Sequence, residues 1–272
     1  MSEGAVDFKF PLSDEIVQAV RHKNIIAVET GDTVEIGGYV ATTAFVSQTV
    51  YVAPTAVVSG NARIHGNVSL FGGAIVHGDV TLSGNVVIKD RAVINVDKES
   101  SPIGAVIHGS VLIEGFSEIT GCVTLTDQVV VTGHAKLIGP MRAADTVRIG
   151  GQALVGGTSS LRGEAIVDGN AHILGNPTIQ DDAVIEGDAR IRGQPTIGDG
   201  ARVFGNARIE GTASIWRAAG LSAQLESGLR RAAAGELLAR SGMGIRAGGR
   251  GAGAPGQSEP RRHWLSTARR FF

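Results

Sequence analysis

Six residues recur along this chain with a regularity that leaves few folds open. From Gly60 the sequence reads GNARIH, GNVSLF, GGAIVH, GDVTLS, GNVVIK and DRAVIN, and the register extends back to Ile36. It breaks for seven residues at 96–102 (VDKESSP), resumes at Ile103 and holds to Trp216, giving ten hexads and then 19. The fifth place is Val, Ile or Leu in 28 of the 29 hexads, with Ala143 the exception, and the third is Ala, Val or Ser in 25. Glycine takes the first place in 19, and the second is often Asn or Asp, as at Asn61, Asn67, Asp79 and Asp188. Two inward residues per hexad, one small and one large, describe a short strand that then turns a corner. Gly-Asn and Gly-Asp at the corner supply residues that tolerate positive φ. Places four and six then point outward, which accounts for the Arg, His, Glu, Thr and Ser found there.

An eighteen-residue echo fixes the size of one coil. Pro177 and Pro195 lie eighteen apart, and Asp replaces the first-place Gly at Asp127, Asp145, Asp181 and Asp199, all separated by multiples of eighteen. Three hexads per coil stack these residues over one another, and parallel pairing at about 4.8 Å makes nearly ten coils, a rod about 45 Å long. Composition agrees. Glycine fills 39 of 272 positions, while aromatics are 4% of a chain that is 43% hydrophobic. Eight prolines and no three-residue period exclude collagen.

The pattern resembles the hexapeptide-repeat superfamily over roughly Ile36 to Trp216. That resemblance implies an all-β, single-stranded, left-handed parallel β-helix of about ten triangular coils. The commonest pattern in the family places Gly directly after the large aliphatic residue, as in Ile197-Gly198-Asp199-Gly200-Ala201. Most of this chain instead reads aliphatic-x-Gly-Asn-Ala, as in Ile64-His65-Gly66-Asn67-Val68, a variant similar to a poorly characterised branch of the family.

The ends of a solenoid need caps. Ser13-Asp14-Glu15 followed by Ile16, Val17 and Val20 predicts a short helix, and Ile25 to Val28 an irregular strand, together an N-terminal cap over 1–35. The repeat domain spans 36–216 with its loop at 96–102. Leu221, Leu225 and Leu229 predict a C-terminal helix over 217–240, and the Gly-rich, Arg-rich remainder, 241–272, a disordered tail. Residues 217–272 hold ten Arg and three Glu, against 15 basic and 23 acidic side chains in the rest. Such a tail could dock on nucleic acid, another anionic partner or the acidic body of a neighbour, or remain a solvated extension. The lone Cys122 excludes an internal disulfide and a cysteine-cluster zinc site. No apolar run reaches the roughly eighteen residues of a membrane span, and the first residues lack the basic and apolar regions of a secretory signal, so a cytoplasmic protein is expected.

Characterised hexapeptide proteins are often acyltransferases, commonly trimeric, with a histidine base beside a loop that breaks the helix. The resemblance therefore implies a coenzyme A thioester as donor and a homotrimer as assembly. A base of near-neutral pKa takes the acceptor's proton. His77 lies eighteen residues before Asn95, at the corner from which the 96–102 loop departs, and is the candidate catalytic base. If the loop adds nothing to the coil count, His65, Ser83 and His108 form a second column, a serine between two histidines that invites a nucleophile-and-base reading. His134 and His172 fall on other columns without a partner. Zinc of the γ-carbonic anhydrase kind is disfavoured, since no His-x4-His pair occurs and the nearest two are His65 and His77. The Asp column at 127, 145, 181 and 199 reads as turn residues bonding their own backbone rather than a metal site. Two functions follow from these residues: a non-catalytic β-solenoid serving as a self-associating structural or binding scaffold, or an acyltransferase with its site between subunits.

Overall fold

The computed structural model describes residues 4–12, 15–26, 33–96, 103–216, 220–221 and 246–247. The chain winds as a parallel β-solenoid of about ten coils with three sheets. One has 13 strands and two have ten, and each sheet takes one strand from every coil. Face A carries Val57–Ser59, Ile75–Gly78, Val93–Val96 and their successors; face B carries Arg63–Ile64, Val80–Gly84, Ala105–Gly109 and onward; face C carries Ser69–Leu70, Val87–Ile88, Leu112–Ile113 and onward. Partners within a face are eighteen residues apart, as in Leu112↔Val130, Val130↔Arg148 and Arg148↔Ile166.

The hexad columns explain the core. Place three and place five point inward and are excluded from solvent coil after coil, from Val40 to Ile215. The cross-section is too narrow for rings, and the largest buried side chains of the repeat are Ile, Leu and Met141. At the corners, first-place residues take positive φ. Gly133 stands at 73°, where an added Cβ would meet the Gly151 carbonyl oxygen at 2.6 Å. Asp90, Asp127, Asp145, Asp181 and Asp199 hold the same conformation at φ of 53–64°, which Asp tolerates better than most side chains. Three of these aspartates, Asp127, Asp145 and Asp181, bond the next coil rather than their own backbone as expected. Asp127 Oδ2 accepts from the Asp145 N–H, Asp145 Oδ2 from Gly163 and Asp181 Oδ2 from Asp199, each one coil further on. The stacking brings the next coil's amide within a carboxylate's reach.

The break in the repeat is extruded without disturbing the register. Val96 still pairs with Gly78, and Val80 pairs with Ala105, so the seven inserted residues are 97–103, one position later than the hexad reading placed them. Ile103 is exposed and 97–102 lie outside the described residues.

The N-terminal end differs from the expected helix. Ile16, Val17 and Val20 lie in a strand, Ile16–Ile26 (β2), between Val6–Lys9 (β1) and Thr33–Ala41 (β3), with both pairings antiparallel. Ile25 and Ile26 end that strand in register with Val34 and Thr33; 13–14 and 27–32 lie outside the described residues. β3 runs parallel to Val57–Ser59, so β1 and β2 extend face A. The first strand of face C, Tyr51–Val52, is closed by side chains from β2. Asn24, fully buried, donates to the Val52 carbonyl at 2.9 Å and accepts from its N–H at 2.8 Å. His22 Nε2 bonds the Val50 carbonyl at 2.9 Å, and Arg21 donates to the carbonyls of Gly37 and Pro54. Asn24 supplies a donor and an acceptor where a neighbouring strand would, so these edge groups are not left unpaired. At the other end Gly220–Leu221 pairs with Arg202–Val203, and Arg246–Ala247 runs antiparallel to Ala207–Ile209. The expected C-terminal helix otherwise lies outside the described residues.

The cap makes stability depend on pH. Burial holds His22 below the ordinary histidine range, with the bond to the Val50 carbonyl opposing that shift. The unfolded chain then binds the extra proton more readily. The neutral imidazole's contribution is whole above about pH 6.5 and is lost as pH falls toward the lower folded value. Melting temperature should fall between about pH 7 and pH 5. In His22→Gln, whose amide can donate to Val50 without titrating, that slope should flatten, as differential scanning calorimetry would show.

Candidate functional site

Places four and six of face A turn outward, yet near the N-terminus they are covered. Ala41, Val57 and Ser59 are buried, at 2%, 6% and 1% exposure. The chain before β2 forms the cover. Phe8 stacks on Tyr39 with ring centroids 4.3 Å apart, and Phe10, itself buried, lies against His77 at 4.5 Å. Arg21 closes over the other side of Tyr39.

His77 therefore sits half-buried in a column of polar side chains. The register pairs Ser59 with His77 and His77 with Asn95. Ser59 Oγ and His77 Nδ1 are hydrogen-bonded at 2.7 Å. Asn95 Oδ1, one coil further on, is buried without a hydrogen-bond partner among the described residues. The 97–103 insertion leaves after Val96, directly beyond this column. Stacking of His77 beneath Asn95 is as the eighteen-residue echo predicts. Ser59 and Phe10 were missed. Ser59 stands eighteen residues before His77 and could have been found by carrying the column one coil down, whereas nothing local marks Phe10 as the cover.

Around the same corner Thr43, Phe45, Asn61, Arg63 and Asp79 line a shallow groove, in which Asn61 donates to Asp79 Oδ1 at 3.0 Å. Phe45 is exposed there, and Gly104, the first residue after the insertion, stacks over Asp79.

The second column stacks as expected but does not close into a bonded group. Ser83 pairs with His108, and Ile64 pairs with Leu82, setting His65 beside Ser83. His65 and His108 are exposed, and no hydrogen bond joins either to Ser83. His108 instead lies close enough to Asp127 to favour its charged form. That carboxyl is held below the usual range first by the Thr126 hydroxyl and then by the Asp145 N–H. The remaining histidines do have neighbours. His134 stacks on Phe116 at 4.9 Å, with Arg91 over the far face of that ring, and His172 pairs in register with Leu154 and Arg190. No group of three His, Cys, Asp or Glu side chains among the described residues is placed to hold a metal ion. None of their helices is long and apolar enough to cross a membrane.

The columns and coils define a three-sided parallel β-solenoid carrying the hexapeptide pattern, and the chain resembles the hexapeptide-repeat superfamily in both. No family model and no curated protein matches it. Among solved structures it is similar to LpxA from Acinetobacter baumannii, at 14% identity over 65% of this chain and 70% of that one, with a TM-score of 0.28.

Phe10 is the side chain that shields His77. Replacing it with Ala should cost about 3 kcal/mol of stability. In the same variant the carbethoxylation rate of His77 should rise severalfold while that of exposed His108 stays unchanged, a contrast that peptide mass mapping resolves.

Proposed function

We propose that this protein is a non-catalytic, cytoplasmic β-solenoid scaffold that associates with itself through its faces. One observation carries the reading. On face C the outward fourth-place residues Val87, Leu112 and Val130 are stacked in register, and after Arg148 the row resumes with Ile166 and Val184. Nearer the N-terminus, past Ser69 in the row, Tyr51 and the sixth-place Phe71 form a ring pair at 5.1 Å. Outward aliphatic side chains stacked three coils deep on a flat sheet, at Val87, Leu112 and Val130, are what a second copy of the same rod can bury. Beside the row Lys89 and Glu114 pair across neighbouring coils, and Arg202, which ends it after Val184, pairs with Glu186. The left-handed winding and the homotrimer that the hexapeptide resemblance implies suit association side by side.

The oligomer is the test. Light scattering on the full chain should give a multiple of 28.0 kDa, and Leu112→Glu with Val130→Glu should reduce it to that single-chain mass with little change in melting temperature. A parent that remains a single chain at tens of micromolar would sink the scaffold reading.

The Ser59–His77 bond supports a second reading, acyl transfer from a coenzyme A thioester. With Nδ1–H donating to Ser59 Oγ, His77 Nε2 carries the lone pair that takes a proton from an acceptor hydroxyl or amine. In this reading the site lies between subunits at the Asn95 corner, and the stacked Ser83 and His108 are the other candidate pair. Ligand at a hundred times its dissociation constant adds about 2.7 kcal/mol. Coenzyme A or acetyl-coenzyme A should therefore raise the melting temperature of the parent, and no shift with either discards acyl transfer.

A further inference from the structure

The eighteen-residue offset that stacks the strands also brings their side chains together, and at three places on the rod neighbouring coils set opposite charges against each other. Lys136 meets Glu118 at 2.7 Å and Arg202 meets Glu186 at 3.0 Å, while Lys89 and Glu114 form the third such pair. The C-terminal half of face A differs. Its fourth-place row runs His172, Arg190, Arg208, with His172↔Arg190 and Arg190↔Arg208 directly paired. Arg192 stands in the sixth-place row beside them, paired with Leu174. The three arginines are exposed, and among the described residues none of them forms an ion pair. Glu210 is the one carboxylate that the hexad places on this part of the face. Like charges placed directly opposite on a sheet destabilise it, so the free protein is less stable for keeping them.

The same face carries aliphatic side chains immediately before the arginines. Ile138 is 45% exposed, Leu154 and Leu174 are half-buried, and the Leu174 methyl leans into the space above Gly156 that a side chain there would fill. From Ile138 to Arg208 this is a flat surface. Neighbouring coils are about 4.8 Å apart and the two outward rows about 6.6 Å apart. It is apolar at one end and cationic at the other. The chain after Trp216 also returns to this sheet, because Arg246 pairs through its backbone with Arg208 and places a further arginine at the register position beyond it.

We propose that this half of face A is a docking surface for an anionic lipid bilayer. Arginine forks bind headgroup phosphates two bonds at a time, and Ile138, Leu154 and Leu174 settle among the acyl chains at the interface. A flat, rigid sheet matches a flat leaflet. No Phe, Tyr or Trp stands in the outward rows between Ile138 and Glu210 and His172 is the one ring there, so the succession of stacking rings that single-stranded nucleic acid uses is missing from this patch.

Cosedimentation of the full chain with vesicles tests it. The parent should bind equimolar phosphatidylglycerol–phosphatidylcholine vesicles and not pure phosphatidylcholine, and should release between about 0.05 and 0.5 M salt. Each arginine near an anionic surface contributes about fivefold in affinity, so Arg190→Gln, Arg192→Gln and Arg208→Gln together should weaken binding about a hundredfold. The Arg-rich tail is unaltered in that variant, and its melting temperature should equal or exceed the parent's because a like-charge contact is gone. Should the triple variant not fold, the single variants should each show the fivefold loss, and the three Lys replacements should keep most of the binding. An unchanged affinity in the Gln variants, equal binding to phosphatidylcholine alone, no binding by the parent, or tighter capture by a single-stranded oligonucleotide each overturns the proposal.

Discussion

Backbone pairing between one coil and the next is the interaction on which everything else in this molecule depends. Val130 N–H reaches the Val147 carbonyl at 2.9 Å, Arg148 reaches Ala165 at 3.0 Å, and Ile166 reaches Ala183 at 2.9 Å. These bonds form in long series only if every coil has the same perimeter, and that perimeter is eighteen residues. A deletion or insertion inside a coil would misalign the rungs above it. Across the one insertion, 97–103, the register carries on, and Ser83 pairs with His108 as though the extra residues were absent. Identical perimeter also means identical corners. From Gly60 onward, the insertion apart, each reverses direction within two residues with its first place at positive φ, held by Gly or by one of the five aspartates of the same geometry.

A solenoid has no closing interaction of its own, so its first coil presents unpaired carbonyls and amides. The N-terminal segment meets this in two ways. On face A it supplies real strands, β1 and β2, added to the sheet. On face C it supplies only side chains, His22 and Asn24, whose donors and acceptors stand where backbone groups would. Backbone amides do not titrate near neutral pH and an imidazole does, so the second solution ties the end of the rod to proton concentration.

The repeat was legible because its determinants are local: each corner and each inward pair is written within six residues. The coil size was legible too, from Pro177 and Pro195 and from the aspartates, because stacked positions share an environment. The N-terminal cap was not. Ile16, Val17 and Val20 satisfy the spacing of a helical face, but their partners are Lys9, Phe8 and Val40, so tertiary pairing decided the outcome. The candidate site was half legible. His77 beneath Asn95 follows from counting, whereas Phe10 over His77 depends on a segment 67 residues away in sequence folding back across face A. The aspartates show the same limit. Their positive φ is a local property, but the amide each carboxylate reaches belongs to the next coil.

In such a fold the inward columns are nearly interchangeable and the outward ones are free to differ. Pairing fixes which outward residues become neighbours, and the sequence then chooses complementary, apolar or like-charged rungs at no cost to the backbone. Lys136 over Glu118 makes the surface neutral and self-satisfied. Val87, Leu112 and Val130 make it apolar. Arg190 beside Arg208 stacks like charge on like. Three faces built on one backbone can thus serve different partners, and a substitution in one row leaves the other two unaltered.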